Sequence, residues 1–225
     1  MSKSDTTKAR IMRAAVHEFT ALGYKGVALR DIARAAGVTM GGIRYHFGSK
    51  ADLYRDTLAH LSEQYNAVCS EALEHARASR DVQQIIYAWL AAPITHWRDD
   101  SIASGEEVLC FLNKMGYEEP ELTREVYESH YAFALSDWTE AVREFFPGMQ
   151  RGDWLWCLTC LRGMYFNIVA HNDFTLWSLP GVSDKEQALR RLSADAVALL
   201  HTYTQPASPS PRGISLPTGY ANSGK

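Results

Sequence analysis

Three features of this sequence predict an all-α fold. No proline occurs before position 93 of the 225 residues, apolar residues recur at helical spacing almost throughout, and no run of alternating β-branched residues marks a strand. Apolar residues make up 46% of the chain and charged residues 22%, a globular balance with length enough to bury a core without disulfides or metal. The most apolar stretch, 154–170, carries Arg162 and Asn167 and is shorter than the roughly 20 residues of a bilayer span, so no membrane partner is expected. The polar, basic start MSKSDTTKAR has no signal-peptide core, and four cysteines at 69, 110, 157 and 160 are too few for a secreted disulfide framework. A cytoplasmic location is expected.

The first helix is expected over 6–22, where Ile11, Ala15, Phe19 and Leu22 form one stripe and Gly23 stops it. A second, short helix over 29–36 turns Leu29, Ile32, Ala33 and Ala36 inward and places Gly37 at its C′ position. Thr39 is placed to cap a third short helix that ends at Phe47. Ser49 with Asp52 makes a capping-box start for a long fourth helix through Tyr54, Leu58, Leu61 and Tyr65. Breaks at 79–81, 99–101, 116–120, 147–152 and 179–183 divide the remainder into five more helices, about nine in all. Pro120 suits a first turn, and Ser183 with Glu186 is another capped start. From Gln205 onward eleven of 21 residues are Pro, Gly or Ser, and this tail is expected to be disordered.

The expected division is therefore a head over 1–50, a helical body over 51–204 and the tail over 205–225. Residues 1–60 hold ten Lys/Arg against five Asp/Glu, and the remainder thirteen against twenty-one. A basic head on an acidic body is the polarity of a nucleic-acid reader on a non-binding support.

A helix, a glycine turn and a second helix within about 20 residues is helix-turn-helix spacing, which an ordinary αα-hairpin shares. The words of residues 29–54, LRDIARAAGVTMGGIRYHFGSKADLY, go further. Their G-V-T, Y-H-F and S-K-x-x-L-Y elements together resemble the N-terminal domain of the TetR family of transcriptional regulators, and the resemblance reaches back to Ile11. It implies a regulator whose partners are double-stranded operator DNA, a small-molecule effector and a second copy of the chain. It places Gly37 and Val38 at the turn, and Thr39 at the recognition-helix cap, where the family uses a hydroxyl both to cap and to touch phosphate. Tyr45 and His46 fall on the signature pair, with the tyrosine on a phosphate. Lys50 falls on the lysine that opens the fourth helix and meets a phosphate, as helix-terminus and counterion arguments also predict. Phe47 is expected in the packing.

There are departures from the family pattern. Ala28 stands where many members have a Ser or Thr that caps the second helix and holds phosphate, and Gly42 stands beside Gly41 where a small hydroxyl residue is common. Two glycines cost about 2 kcal/mol of helix propensity relative to alanine, and they allow close backbone approach. Sequence reading then rests on Thr39, Met40, Arg44 and Tyr45. Arg44 is the expected base reader, because guanidinium paired with guanine O6 and N7 is the commonest specific contact; its alternative is a phosphate contact. Arg30 is a further contact or a solvated side chain.

No motif marks the body. Residues 87–177 hold all six tryptophans, and aromatics at helical spacing are more often core than pocket. On the helix expected over 120–146, however, Val126, His130, Phe133 and Asp137 share one face. Two polar groups among apolar neighbours suit an apolar or aromatic effector held by a few hydrogen bonds. Trp97, Phe111, Met115, Tyr131, Trp138, Tyr165 and Asn167 are further pocket candidates. Leu189, Leu192, Ala196, Leu199 and Tyr203 are spaced 3, 4, 3, 4, and Leu158, Leu161, Tyr165 and Ile168 alternate likewise. Each is a coiled-coil-like seam that faces its own core or, on the TetR-like reading, a four-helix bundle with a second subunit, which sets two recognition helices about 34 Å apart.

Cys157 and Cys160 form a single C-x-x-C in an apolar, mid-helix setting, which favours packing over metal or redox sensing. No Ser/His/Asp order, paired-carboxylate motif, phosphate loop or H-E-x-x-H occurs, so no catalytic residue, metal or cofactor is expected. The rival to a regulator is an all-helical adaptor whose head binds protein.

Overall fold

The structure, a computed structural model, describes residues 3–97, 100–115, 120–126, 128, 132–170 and 182–204. Among these there are ten helices and no strand. They are α1 (Lys3–Gly26), α2 (Leu29–Ala35), α3 (Met40–Phe47), α4 (Lys50–Arg77), α5 (Val82–Thr95), α6 (Gly105–Met115), α7 (Pro120–Val126), α8 (Ala132–Arg143), α9 (Arg151–Ala170) and α10 (Lys185–Thr202). No described helix is long and apolar enough to cross a membrane. The tail over 205–225 lies outside the described residues.

Local chemistry sets the ends of the first four helices. α1 leaves helical geometry at Gly23 (φ 72°, ψ 167°), the expected stop, before a last turn to Gly26. Ile11, Ala15 and Phe19 face inward, whereas Leu22, expected on the same stripe, is 59% exposed, one turn past the last packed residue. α2 closes in a Schellman motif: Val38 N–H donates to the Ala33 carbonyl at 3.0 Å and Gly37 N–H to the Arg34 carbonyl at 3.1 Å. Gly37 takes φ 62° there, a left-handed value that favours glycine. Thr39 Oγ1 accepts from Gly42 N–H at 3.1 Å. α3 is helical through both its glycines, with Ile43 and Phe47 burying its inner face.

Both halves of the α4 capping box are present. Asp52 N–H donates to Ser49 Oγ at 3.1 Å, and Ser49 N–H to Asp52 Oδ2 at 3.2 Å. The Ser49 hydroxyl holds the Asp52 carboxyl below its ordinary range. The cap is therefore whole above the ordinary carboxylate pKa and is lost as the pH falls through the lowered one.

Two expectations are corrected. Asp184 rather than Ser183 caps α10, since the chain is extended at Asp184 (φ −154°, ψ 172°) and its Oδ1 accepts from Gln187 N–H at 2.8 Å. The single helix expected over 120–146 is two, α7 and α8, with Glu128 in a wider π turn. Of the face expected to join Val126, His130, Phe133 and Asp137, Val126 is buried and Asp137 half-buried, while His130 and the Phe133 side chain lie outside the described residues.

One contiguous core runs from Ile11 to Leu200, so packing does not stop at residue 50. Tyr54 of α4 meets Phe19 of α1 at 4.8 Å, Tyr24 at 5.2 Å and Phe111 of α6 at 5.7 Å between ring centroids. α5 packs against α4, α6, α8 and α10, and α6 against α1 and α9. Where α5 meets α6 the backbones touch: a Cβ on Gly105 would lie 1.8 Å from the Pro93 carbonyl oxygen.

That contact sets a stability prediction. Gly105→Ala forces backbone apart and should lower stability by about 1–3 kcal/mol. Gly152→Ala, where an added Cβ meets nothing within 4 Å, should leave stability unchanged or raise it by up to about 1 kcal/mol. Denaturant midpoints of the two variants should therefore move in opposite directions, or only that of Gly105→Ala should move.

Candidate nucleic-acid interface

α3 has an inner and an outer face. Ile43 and Phe47 are buried, while Thr39, Met40, Gly41, Arg44 and Tyr45 are exposed and Gly42 and His46 half-buried. Every residue expected on the recognition helix therefore lies on or beside one outer surface. Tyr45 is 84% exposed, so its ring adds little to the packing of the head. Arg44 and Arg30 are exposed, and their guanidinium groups make no hydrogen bond or ion pair among the described residues. Arg34, next to them, pairs with Asp31 at 2.9 Å. Ala28 offers α2 no side-chain cap, as its place in the sequence implied.

Two cations brace this surface from behind. Arg10 Nη2 donates to the carbonyls of Ala36 at 2.5 Å and Gly37 at 3.1 Å, which pins the α2–α3 turn to α1. Sequence reasoning passed over Arg10, because a lone cation 27 residues before the turn carries no local signal. Lys50, expected at a phosphate, donates to the carbonyls of Tyr24 at 2.7 Å and Val27 at 2.9 Å, with its ammonium 4.3 Å from the Tyr24 ring centroid. In the free protein it serves the C-terminal end of α1, where carbonyls lack helical partners and a positive charge is favoured. Head and body are also joined by polar contacts: Arg13 Nε donates to the Ser101 carbonyl at 2.8 Å, and Lys114 Nζ to the Ala21 carbonyl at 3.5 Å.

The expected pocket residues that the structure describes occupy several different settings. Phe111 is core, 1% exposed against Tyr54. Trp97 donates its indole N–H to the Ala103 carbonyl at 2.9 Å, and Tyr165 its hydroxyl to the Leu90 carbonyl at 2.9 Å. Asp137 is half-buried and Asn167 exposed. His130, Tyr131 and the side chains of Met115 and Phe133 lie outside the described residues. Trp138 walls an apolar cavity that lies between α5, α8, α9 and α10 together with Ile86, Trp89, Trp154, Cys157 and Leu161, and Asn167 lines a second cavity of about 250 Å³ between α9 and α10 with Ile168, Val182 and Leu192. A larger, open groove of about 620 Å³ between α4, α5 and the start of α10 holds none of the expected residues.

The seams expected at a dimer interface are turned inward. Leu161, Tyr165, Ile168, Leu189, Leu192 and Ala196 are buried, and Leu158, Leu199 and Tyr203 partly so. They pack α9 and α10 on each other and α10 on α5. Those six buried side chains have no surface left for a second subunit, whereas Leu158, Leu199 and Tyr203 keep part of theirs. Burial pushes the thiol pKa of Cys157 up to about 11 and that of Cys69 up to about 12. Both therefore remain protonated and poorly nucleophilic near neutral pH. No group of three metal-ligating side chains occurs among the described residues.

Residues 11–57 match the model of bacterial regulatory proteins of the tetR family. The transcriptional regulatory protein RaaS of Mycobacterium tuberculosis is 33% identical over 107 residues, 48% of this chain and 50% of that protein. The transcriptional regulator TtgR of Pseudomonas putida is 35% identical over 83 residues, 37% of this chain and 36% of that protein. These matches thus span half the length of the first relative and about a third of the second. The crystal structure of the TetR-family transcriptional regulator PfmR from Thermus thermophilus superposes with a TM-score of 0.53 at 18% identity, covering 85% of this chain and 97% of that one. That likeness shows a shared fold.

The Lys50 geometry makes a stability prediction that a pure phosphate ligand would not. Lys50→Ala leaves two carbonyls without their charged donor, and charge-assisted hydrogen bonds contribute about 1.5–3 kcal/mol each before solvent screening. With Lys50 half-buried, a loss of about 1–3 kcal/mol is expected in thermal melts without DNA. An unchanged melt would mean that the ammonium does not hold α1.

Proposed function

We propose that this chain, whose residues 11–57 match the model of bacterial regulatory proteins of the tetR family, is a homodimeric, ligand-responsive transcriptional regulator of that family. In this reading it is a repressor, released from a palindromic operator when a small apolar or aromatic effector binds the body. The observation that carries the reading is the outer face of α3, which presents Thr39, Met40, Arg44 and Tyr45 to solvent while Ile43 and Phe47 anchor it. α3 enters the major groove, Arg44 reads a guanine, and Thr39 and Tyr45 take phosphates, with His46 at the end of the helix. Lys50 reaches a phosphate only by sharing or leaving the carbonyls of α1. An effector that binds one conformation of the body more tightly shifts the separation of the two heads and so lowers operator affinity. The relatives' names, all those of transcriptional regulators, support this reading over an adaptor.

Two heads on one operator require a second copy, and with the inner seams already buried its contact surface lies elsewhere. On the outer face of α9, Leu155 is 52%, Trp156 57% and Met164 41% exposed. These are three of the seven large hydrophobics exposed among the described residues, a concentration that favours this face over the others. Gly163 beside them leaves open space for a partner, and on α10 the small Ala194 and Ala198 face outward. The dimer is accordingly assigned to the outer faces of α9 and α10 instead of the seams over 158–168 and 189–203.

Selection of binding sites from a random DNA pool, followed by salt titration, tests the function: sequence-specific, salt-dependent binding is expected. Arg44→Ala should weaken the selected operator by about 1–3 kcal/mol and relax preference at one position per half-site. An equal loss on random DNA would reduce Arg44 to a phosphate contact. Trp156→Glu places a charge where the reading needs a dry contact, and sedimentation should show a folded monomer that has lost operator binding. A dimer with operator affinity intact would remove α9 from the interface.

A further inference from the structure

The outer face of α9 carries one large knob and one empty place. Trp156 is 57% exposed. Gly163 lies two turns further along the same face, and a Cβ there would meet nothing within 4 Å. Beside Gly163 opens the groove of about 250 Å³ between α9 and α10, lined by Met164 and Asn167 of α9 and by Arg191 and Asp195 of α10. Arg191 and Asp195 pair across 3.9 Å, the outer limit of an ion pair, so both keep capacity for another partner. Between Gly152 and Asn167 every exposed residue of α9 is uncharged.

We propose that this groove receives Trp156 of a second copy: across a two-fold axis level with the Thr159–Cys160 peptide bond, each Trp156 crosses the partner's Gly163 and lies between the partner's α9 and α10. The inference rests on the reading of the chain as a homodimer and adds the register of its two copies. An axis at that bond, perpendicular to an antiparallel pair of α9 helices, brings residue 156 level with the partner's 163 and residue 152 with the partner's 167. One member of each pair is then a glycine, whereas an axis one turn nearer the N-terminus would set the two Trp156 rings against each other. Helical side chains lean toward the N-terminus of their helix, which for Trp156 is the direction of the partner's Asn167 and so of the groove. There the indole N–H meets an acceptor in the amide oxygen of the partner's Asn167 or the carboxylate of the partner's Asp195, and the ring lies against the guanidinium of the partner's Arg191. Like residues approach one another near a two-fold axis, where a charge would meet its own kind, so an uncharged face suits a second copy. The area is also of the right order. α9 and α10 pack on each other over 20 and 18 residues, and side by side they present a face of roughly 600 Å² in projection, close to the roughly 800 Å² per partner of a standard interface.

The test compares full-length chains by sedimentation, with one variant of each mixture carrying a fluorescent label. Gly163→Leu fills the empty place and Trp156→Ala removes the knob. Both positions face solvent in the single chain, and circular dichroism checks that each variant stays helical. Each variant alone should dissociate at least about tenfold more readily than the unmodified dimer, the scale of one anchoring residue. Mixed, the two should form a dimer at least about threefold tighter than either forms with itself, the coupling expected of residues in direct contact. In that mixed dimer one intact Trp156 meets one intact Gly163, and the leucine meets an alanine. A Gly163→Leu dimer as tight as the unmodified one, or a mixture no tighter than its parents, would overturn the register and leave the homodimer standing. An unmodified chain that stays monomeric at every concentration and on its selected operator sinks the homodimer itself.

Discussion

Tyr54 is the contact on which the arrangement of the whole molecule depends. It lies in the second turn of α4, is 1% exposed, and touches Phe19 and Tyr24 of α1 as well as Phe111 of α6. Burying such side chains contributes about 1.5–3 kcal/mol each, and their edge-to-face geometry adds to this. Because the rings come from three helices, α4 cannot slide along α1 without also working against α6. Lys50, four residues earlier and so on the same face of α4, ties down the carbonyl and ring of the same Tyr24.

The rigidity of the head follows from that anchor. α1 is held to α4 by Lys50 and Tyr54, and Arg10 of α1 holds the carbonyls at the α2–α3 turn. α3 is thus positioned by its two neighbours and by two buried side chains of its own. The exposed side chains of Arg44 and Tyr45 on its outer surface are not part of the core. Thr39 makes up part of what Gly41 and Gly42 cost the helix by satisfying a first-turn N–H.

Between head and body the segment from Ser101 to Gly105 is held on several sides. Arg13 donates to the Ser101 carbonyl, Trp97 to the Ala103 carbonyl, and Gly105 lies against the Pro93 carbonyl with no space for a side chain. α5, which ends in this arrangement, also supplies Ile86 and Trp89 to the apolar cavity that Trp138 walls. A displacement of α5 at that cavity is therefore in packed contact with α1 through backbone groups and one guanidinium, a contiguous physical route between the two ends of the molecule.

Helix starts and stops were legible because their causes are local. Gly23, Gly37, Thr39 and the Ser49–Asp52 pair act over three or four residues, and each does in the structure what its position predicts. The same logic slipped by one residue at Asp184 and passed over the π turn at Glu128, which carries no distinctive composition. The seams over 158–168 and 189–203 show the limit most clearly, since a 3,4 alternation states that a stripe is buried and leaves open what covers it. The sequence by itself determined the helices, the basic head and the residues of its outer face, because periodicity, caps and glycine stops are short-range effects. Only the tertiary structure decided that the seams close on their own subunit, that Lys50 turns back to a carbonyl 26 residues away, that Arg13 reaches one 88 residues away, and that Trp138 and Trp154 share a cavity. Those outcomes depend on which distant surfaces meet, and the spacing of residues within a single helix carries no record of them.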